Sequence, residues 1–375
     1  MRGKTKRVKC GRMIYLAYIS FILTGGQLLV ALANLFYRQS FPVESGSFGR
    51  LVSVLIPARN EERNIAFILD DLQKQNYRNI EILVFDDLSS DSTGKIVSGR
   101  SKPDSRIRLI RSGGLPEGWL GKNYACHVLS GYASGDYLLY LDADVRLKKD
   151  GITNAVDLSE KYGLGLLSIF PSQIMVTTGE RIAVPVMNYI LLSLLPLFLV
   201  RKTGFKSLAA ANGQFMLFKA SKYRELMPHK KVRGKRVEDI EIARYFKEKG
   251  VKIDCLTGND DVSCRMYKSF GEAANGFSRN VTTFFGNSFL FSFLFWMITT
   301  LGFIPVYLVL GTSVFALYIT AIILTRVIIS VVSRQNIMFN LLYHIPQQLA
   351  LGYFVYKALV NKYKKQHRWK GRLIP

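Results

Sequence analysis

Apolar residues fall along this chain in two different patterns. Residues 1–12 carry six Lys/Arg and no acid, and Met13–Phe36 then runs 24 residues without a charge. A helix of that length spans about 36 Å, enough for a bilayer core of ~30 Å. Gly25-Gly26 lies within the run and allows a kink or a shallow hairpin. A basic start, an apolar run and Ala31-Leu32-Ala33 also fit a cleaved signal peptide, although the stretch is long for one. The expectation is a membrane anchor over 1–36.

After a polar linker at 37–50, with Pro42, Gly46 and Gly49, the pattern changes. Short apolar strands at 51–56, 80–85, 107–110 and Tyr137–Leu141 alternate with helical patterns at 62–73, 92–98 and 124–133. This alternation predicts an α/β domain with a mostly parallel sheet. In such sheets ligands bind outside the carboxyl ends of the strands. Pro57-Ala58-Arg59-Asn60, Asp86-Asp87 and Asp142-Ala143-Asp144 all fall at or just after strand ends, so they converge on one edge.

Beyond the domain, the 18-residue run at 183–200 is broken by Pro185 and Pro196 and closes on Arg201-Lys202; it fits a core helix or an interfacial element. Residues 288–310 are uncharged, Gly311 offers a tight turn, and 312–333 return with one charge, Arg326. The pattern predicts a transmembrane hairpin. Residues 337–360 contain Asn340, His344, Pro346, Gln347, Gln348 and Lys357, and suit an in-plane or re-entrant segment. The chain thus divides into an anchor (1–36), a catalytic domain (51–285), a membrane hairpin with an in-plane segment (286–360) and a basic tail (361–375). Seven Lys/Arg and no acid lie between Lys357 and Arg372, which favours a cytoplasmic tail facing anionic lipid. The basic N-terminus asks to be inside too. That agrees with a cytoplasmic catalytic domain only if 13–36 forms a hairpin.

Composition narrows the classes. With 49% apolar residues and a mean hydropathy of +0.14, the chain is neither disordered nor fibrous. A net charge of +24 calls for a polyanion, and the long uncharged runs favour an anionic membrane over nucleic acid. The four Cys (10, 126, 255, 264) have no C-x-x-C spacing, which excludes a zinc knuckle and a thioredoxin motif. No G-x-S-x-G or Walker A pattern occurs, and the four His lack metal-ligand spacing.

The acidic pairs carry the chemistry. Asp142 and Asp144 can converge on one hard cation, Mg²⁺ or Mn²⁺, which would also bind substrate phosphates. Asp86 and Asp87 can accept hydrogen bonds from a base or ribose, while Ser90 or Asp91 fits an Asx-turn or helix cap. Glu238-Asp239 opens an apolar-periodic helix. The pair either matches the helix dipole or includes a general base that deprotonates an acceptor. Arg265, Lys268 and Arg279 can neutralise a pyrophosphate leaving group or form a basic collar at a membrane. Trp119 and Lys122, in Gly118-Trp119-Leu120-Gly121-Lys122, suit a lid over a ligand. Arg326 fits snorkelling toward Arg334, about 12 Å away, or a contact to a polar lipid acceptor.

The ordered motifs resemble those of inverting family-2 glycosyltransferases with a GT-A, Rossmann-like fold. They are Val54-Leu55-Ile56-Pro57-Ala58-Arg59-Asn60-Glu61-Glu62, Phe85-Asp86-Asp87-Leu88-Ser89-Ser90-Asp91, Leu141-Asp142-Ala143-Asp144 and Val237-Glu238-Asp239. Three more resemble the membrane-bound subgroup that glycosylates carotenoids and similar lipids: Gly118 to Lys122, Arg265-Met266-Tyr267 with Glu272 and Gly276, and Trp369-Lys370-Gly371-Arg372. The resemblance implies that Pro57, Ala58, Glu61, Asp86 and Asp87 hold the uridine of a UDP-sugar. It implies that Asp142 and Asp144 hold the ribose and the metal-bound diphosphate, with Lys122 and Arg265 among the donor-binding residues. Asp239 would be the base, next to Glu238, and the acceptor a membrane lipid hydroxyl or carboxyl. Polyprenyl-phosphate or polysaccharide transfer is the alternative. The Q-x-x-R-W motif of processive cellulose-type enzymes is absent, since the matching region reads Cys264-Arg265-Met266-Tyr267-Lys268.

Overall fold

The computed structural model describes residues 2–37, 49–257, 261–364, 368–369 and 372–373. Most of the expected linker, at 38–48, and most of the basic tail lie outside the described residues. The chain forms two compact units. One comprises residues 39–174, 197–266 and 367–375; the other comprises 1–38, 175–196 and 267–366.

The first unit is built on a seven-stranded sheet. Its strands are β1 (Val52–Ala58), β2 (Ile80–Asp86), β3 (Ile107–Arg111), β4 (Tyr137–Leu141), β6 (Leu166–Phe170), β8 (Phe215–Lys219) and β9 (Ile253–Thr257), in the order β3-β2-β1-β4-β8-β6-β9. A smaller sheet joins β5 (Val145–Leu147), β10 (Val262–Cys264) and β7 (Ser172–Gln173) in that order. Helices Ile65–Gln73 and Thr93–Ser101 carry the chain from β1 to β2 and from β2 to β3, so these pairs run parallel. Alternate residues Val52, Val54 and Ile56, then Ile80, Ile82 and Val84, and Leu139 and Leu141 join one buried cluster with Ile65, Ile68, Leu69 and Leu72 of the first helix. The period-2 pattern of the strands thus meets the 3.6-residue stripe of the helix in one core.

Two topological facts position the polar residues. After β3, helix Gly121–Tyr132 brings the chain back to the other side of β1, where β4 pairs parallel to it. The strand order reverses at β1, and a crevice opens there at the carboxyl ends. Strand β8 then pairs antiparallel with both β4 and β6. Its amino end therefore lies beside the carboxyl end of β4, and the Asp142 N–H donates to the Gln214 carbonyl at 3.2 Å.

The second unit is helical. Among the described residues, two helices are long and apolar enough to cross a membrane, Met13–Phe36 and Phe303–Val332. The latter is broken at Gly311 (φ 78°, ψ 168°). Tyr307 and Phe315, on either side, have ring centroids 5.1 Å apart. In an unbroken helix eight residues would separate them by about 12 Å along the axis, so the chain turns back at Gly311 as its sequence suggests. The arm before the turn is not one helix, however. It is split at Gly302 into Phe289–Leu301 and a segment from Phe303, and the first of these bends by 97° from Phe270–Phe285. A Cβ at Gly302 would lie 2.7 Å from Ser20 Oγ, so the break coincides with a close approach to the N-terminal helix. Ala17, Val306 and Tyr318 form a small core there, while Tyr15, Ile22, Leu29, Leu290 and Leu308 stay exposed as an apolar exterior. The proline-interrupted run becomes helices Pro185–Leu194, in this unit, and Phe198–Lys202, in the other. Residues 337–360 fall on Ile337–Leu342 and His344–Lys364.

One glycine tests the sheet geometry. A Cβ on Gly135, just before β4, would sit 2.6 Å from Ser53 Oγ, 2.7 Å from Ser53 N and 2.8 Å from Leu51 O. The nearest backbone belongs to β1 and cannot yield without distorting the sheet. Gly135→Ala should destabilise this unit by about 1–3 kcal/mol, read as a lower denaturant midpoint with an unchanged slope. An unaltered midpoint would mean that β1 and β4 are not so closely joined.

Candidate active site

The β1 and β2 ends form one braced wall of the crevice. Register pairs Pro57 with Phe85 and Ala58 with Asp86, and the Asp87 N–H donates to the Ala58 carbonyl at 2.8 Å. Asn60 adopts φ 53°, so the chain folds back over the second loop. The Asn60 N–H donates to Ser89 Oγ at 3.0 Å, the Ser90 N–H to Asn60 Oδ1 at 2.8 Å, and the Glu61 N–H to Thr93 Oγ1 at 2.8 Å. Arg59 Nη1 donates to the Asp87 carbonyl. Asp86 Oδ1 accepts from the Ser89 N–H at 3.0 Å, and a Cβ on Gly94 would stand 2.6 Å from Asp86 Oδ2. The expected turn role of Asp91 is present too: its Oδ1 accepts from the Thr93 N–H at 3.0 Å. Asp86 and Asp87 are both buried, so their carboxylates face the interior of this wall and not bulk water.

The centre of the crevice is a knot around one ammonium group. Lys122, at the start of helix Gly121–Tyr132, places Nζ 2.8 Å from Asp142 Oδ1, 3.0 Å from Asp142 Oδ2 and 3.3 Å from Glu238 Oε1. It also donates to the Gly213 carbonyl at 3.2 Å. The Gly213 N–H donates to Asp239 Oδ2 at 2.9 Å, and the Ile240 N–H donates to Asp239 Oδ1 at 2.8 Å. A Cβ on Gly213 would meet Lys122 Nζ at 3.0 Å and Glu238 Oε1 at 3.2 Å, so a side chain here would push these two charged groups aside by a few tenths of an ångström. The side-chain amide of Asn123 ties the same helix to the carbonyls of Val232 at 2.9 Å, Arg233 at 3.1 Å and Lys235 at 3.0 Å.

The electrostatics follow from this crowding. Burial pushes the Asp239 carboxyl up to about 7, aided by the neighbouring Glu238 charge; the two N–H donors and Lys122 pull the other way. Burial, then the charges of Asp142 and Glu61, likewise raises Asp144 to about 7. Burial opposes the Lys122 charge, but Asp142 and Glu238 more than offset it and hold the ammonium well above its usual range. The Cys264 thiol is pushed up by burial and then by Asp144 and Asp142.

Four carboxylates (Asp142, Asp144, Glu238, Asp239) thus feel the charge of one lysine, and Glu61 acts on Asp144. Asp144 Oδ1 is buried and has no hydrogen-bond partner. Among the described residues no three His, Cys, Asp or Glu form a ready-made cage. An acceptor-only oxygen in an acid-rich crevice fits a hard cation held by one or two carboxylates, with its remaining ligands supplied by phosphates. Trp119 does not hang free over the crevice. Its ring stacks on His127 at 5.0 Å and meets Tyr124 edge-on at 5.6 Å.

Two contributors escaped the sequence reading. Gln214 Nε2 donates to Cys264 Sγ at 2.9 Å, which ties the head of β8 to the end of β10, immediately before Arg265. The Asn212 N–H donates to Ser168 Oγ at 2.7 Å, and Asn212 Oδ1 accepts from the Gln214 N–H at 2.9 Å. An Asn-Gly pair followed by the apolar run at 215–218 is a turn-and-strand signal that would have marked them.

Residues 53–227 match the family model described as glycosyl transferase family 2. The 4,4'-diaponeurosporenoate glycosyltransferase of Staphylococcus haemolyticus is 27% identical over 232 residues, covering 60% of this chain and 59% of that protein. The namesake from Staphylococcus aureus is 24% identical over 237 residues, covering 62% and 61%. The chain therefore spans about three fifths of the length of these relatives. A mannosyltransferase from Pyrobaculum calidifontis, solved with GDP-Man and Mn²⁺, shares the fold with a TM-score of 0.57 and 17% identity, covering 92% of this chain and 99% of that one.

If Lys122 holds the knot together, Lys122→Met should lower stability by about 1–3 kcal/mol. Without the ammonium, the folded-state pKa values of Asp239 and Asp144 rise further above their unfolded values. The folded state is then penalised wherever the unfolded carboxyls are ionised, above about pH 4. The deficit, followed by chemical denaturation, should be larger at pH 8 than at pH 5. An equal deficit at both would contradict the arrangement.

Proposed function

We propose, from the match of residues 53–227 to the glycosyl transferase family 2 model, that this chain moves a hexose from a UDP-sugar to a membrane lipid with inversion at the anomeric carbon. The observation that carries the reading is the coupling of Asp239 to the Lys122–Asp142 pair through Gly213, at the point where the strand order reverses.

Pro57, Ala58, Glu61, Asp86 and Asp87 line the wall that would hold the uridine, and Asp142 would take the ribose. Lys122 and Arg265 supply positive charge for the diphosphate. A diphosphate carries negative charge into a crevice already rich in carboxylates, so it enters most favourably with a cation. Asp144, with Asp142, would hold Mg²⁺ or Mn²⁺, which neutralises charge on the departing diphosphate. Asp239 Oδ2 or Oδ1, each already accepting one backbone N–H, has a further lone pair for the acceptor proton. The acceptor oxygen gives that proton to Asp239 and attacks the anomeric carbon from the face opposite the diphosphate. The bond from that carbon to the diphosphate oxygen breaks, and UDP leaves with the electron pair. Burial, and then the negative charge of Glu238 beside the base, raises its proton affinity to near neutrality.

The names of the staphylococcal relatives support a lipid acceptor with a hydroxyl or carboxyl, carotenoid-like in its apolar length. Two membrane-length helices and the net charge of +24 support a multi-pass protein of the plasma membrane with anionic lipids around it; because Met13–Phe36 is one helix and not a hairpin, a catalytic unit in the cytoplasm requires the basic N-terminus to be translocated. The complex of the archaeal mannosyltransferase makes GDP-mannose the donor to compare with UDP-sugars.

Asp239→Asn should lower transfer about 10²–10⁴-fold while leaving UDP affinity near wild type by calorimetry. A base acts when deprotonated, so wild-type kcat/KM should rise between pH 6 and pH 8 with its inflection near 7. Wild-type turnover in the variant would contradict the base assignment, as would a profile flat across that interval.

A further inference from the structure

The sequence leaves Arg326 with two readings, and the structure removes one. Arg326 does not snorkel: it is only 4% exposed and lies inside the helical unit. Its guanidinium carbon stands 4.0 Å from the centre of the Tyr189 ring. One donor, Nη1, reaches Gln347 Oε1 at 2.7 Å, while Nε is buried and has no partner. Among the described residues no carboxylate pairs with it.

The groups around it are already committed to one another. Gln347 Nε2 donates to the Arg181 carbonyl at 3.0 Å and to Asn340 Oδ1 at 3.0 Å. Asn340 Nδ2 donates to Ser330 Oγ at 2.9 Å and to Gln335 Oε1 at 2.8 Å, and Ser330 Oγ donates to the Arg326 carbonyl at 2.7 Å. The Gln27 amide fixes the Tyr189 hydroxyl at 3.1 Å from another helix. A buried network ends in donors with nothing to accept them, Arg326 Nε and Gln335 Nε2. A buried guanidinium costs several kcal/mol unless an anion compensates it, and leaving even one buried donor unmade costs about 1–3 kcal/mol. The missing component is an acceptor carrying negative charge. The apolar helices that enclose the site restrict it to an anion with a lipid tail.

We propose that Arg326, stacked on Tyr189 and braced by Gln347, is a binding site for the oxyanion end of a membrane lipid, a carboxylate or a phosphate. A planar guanidinium held by its face on an aromatic ring keeps its edge N–H donors free for bidentate contact with such a group. The site lies wholly within the helical unit and its test needs no sugar donor, so it stands or falls separately from glycosyl transfer.

The experiment measures equilibrium binding of radiolabelled palmitate and of phosphatidylglycerol to the full-length protein in a neutral detergent. Methyl palmitate and diacylglycerol serve as uncharged controls. Saturable binding of palmitate or phosphatidylglycerol is expected, with the uncharged partner of the same chain length at least about tenfold weaker. Palmitate alone would identify a lipid carboxylate, and phosphatidylglycerol alone a headgroup phosphate. Arg326→Gln should lose that preference, and Arg326→Lys should restore part of it, because the ammonium keeps the charge but not the planar fork. Helical circular dichroism and a single symmetric peak in size-exclusion chromatography report that each variant has folded. If Arg326→Gln does not fold, the wild-type preference for the charged lipid and the Arg326→Lys value decide. Equal binding of charged and uncharged lipids by the wild type would overturn the proposal, as would an undiminished preference in Arg326→Gln.

Discussion

A single ammonium group governs the sheet-based unit. Lys122 joins the end of β4, through Asp142, to the start of helix Glu238–Glu248, through Glu238, and to the loop before β8, through the Gly213 carbonyl. These three segments are far apart in sequence, and two of them bring negative charge. Coulombic repulsion among partly buried carboxylates would drive them apart if nothing positive stood between them. The same charge also restrains the proton affinity of Asp239, so that burial and Glu238 lift it only to about neutrality. The lysine that stabilises the folded crevice therefore also sets the pH range in which a carboxylate there can accept a proton.

The sheet supplies the geometry that the lysine fastens. Reversal of strand order at β1 opens the crevice, and the antiparallel β8 delivers Gly213 and Gln214 to the end of β4. The small second sheet adds Cys264, whose sulfur accepts from Gln214 and raises no nucleophilic prospect, because burial and two aspartates keep the thiol protonated. Charge is used differently in the helical unit. There Arg326 is enclosed by neutral amides and a tyrosine ring, so the compensation found around Lys122 is missing.

The parts of the fold legible in the sequence are those coded locally. Strand β4 falls at Tyr137–Leu141 as its five apolar residues suggest, and β1, β2 and β3 extend one or two residues past the predicted ends. The acidic groups at strand ends are legible because a βα alternation fixes which edge they share. Strands β6, β8 and β9 are not marked by that reading, since their partners are distant and each five-residue segment carries a polar residue (Ser168, Lys219, Asp254), which leaves too short an apolar run to tell strand from buried helix. The link between Lys122 and Glu238 spans 116 residues and leaves no trace in either motif. Gly311 announces its turn, but Gly302 sits in an apolar run, and the Ile298 carbonyl and Ser20 side chain that crowd it are not visible in the sequence. For Arg326, distance along its own helix pointed to the surface, whereas the residues that enclose it come from elsewhere in the chain.

The central claim, a crevice that transfers a sugar to a lipid, meets its most direct test in a partition experiment. Membranes containing the protein are incubated with radiolabelled UDP-sugars, and with GDP-mannose for comparison, in the presence of Mg²⁺ or Mn²⁺, and then extracted with organic solvent. The account predicts label in the organic phase from a UDP-sugar, dependent on the active protein. Label confined to an insoluble polymer, or no transfer from any donor although lipid extracts are added and UDP still binds, would contradict it.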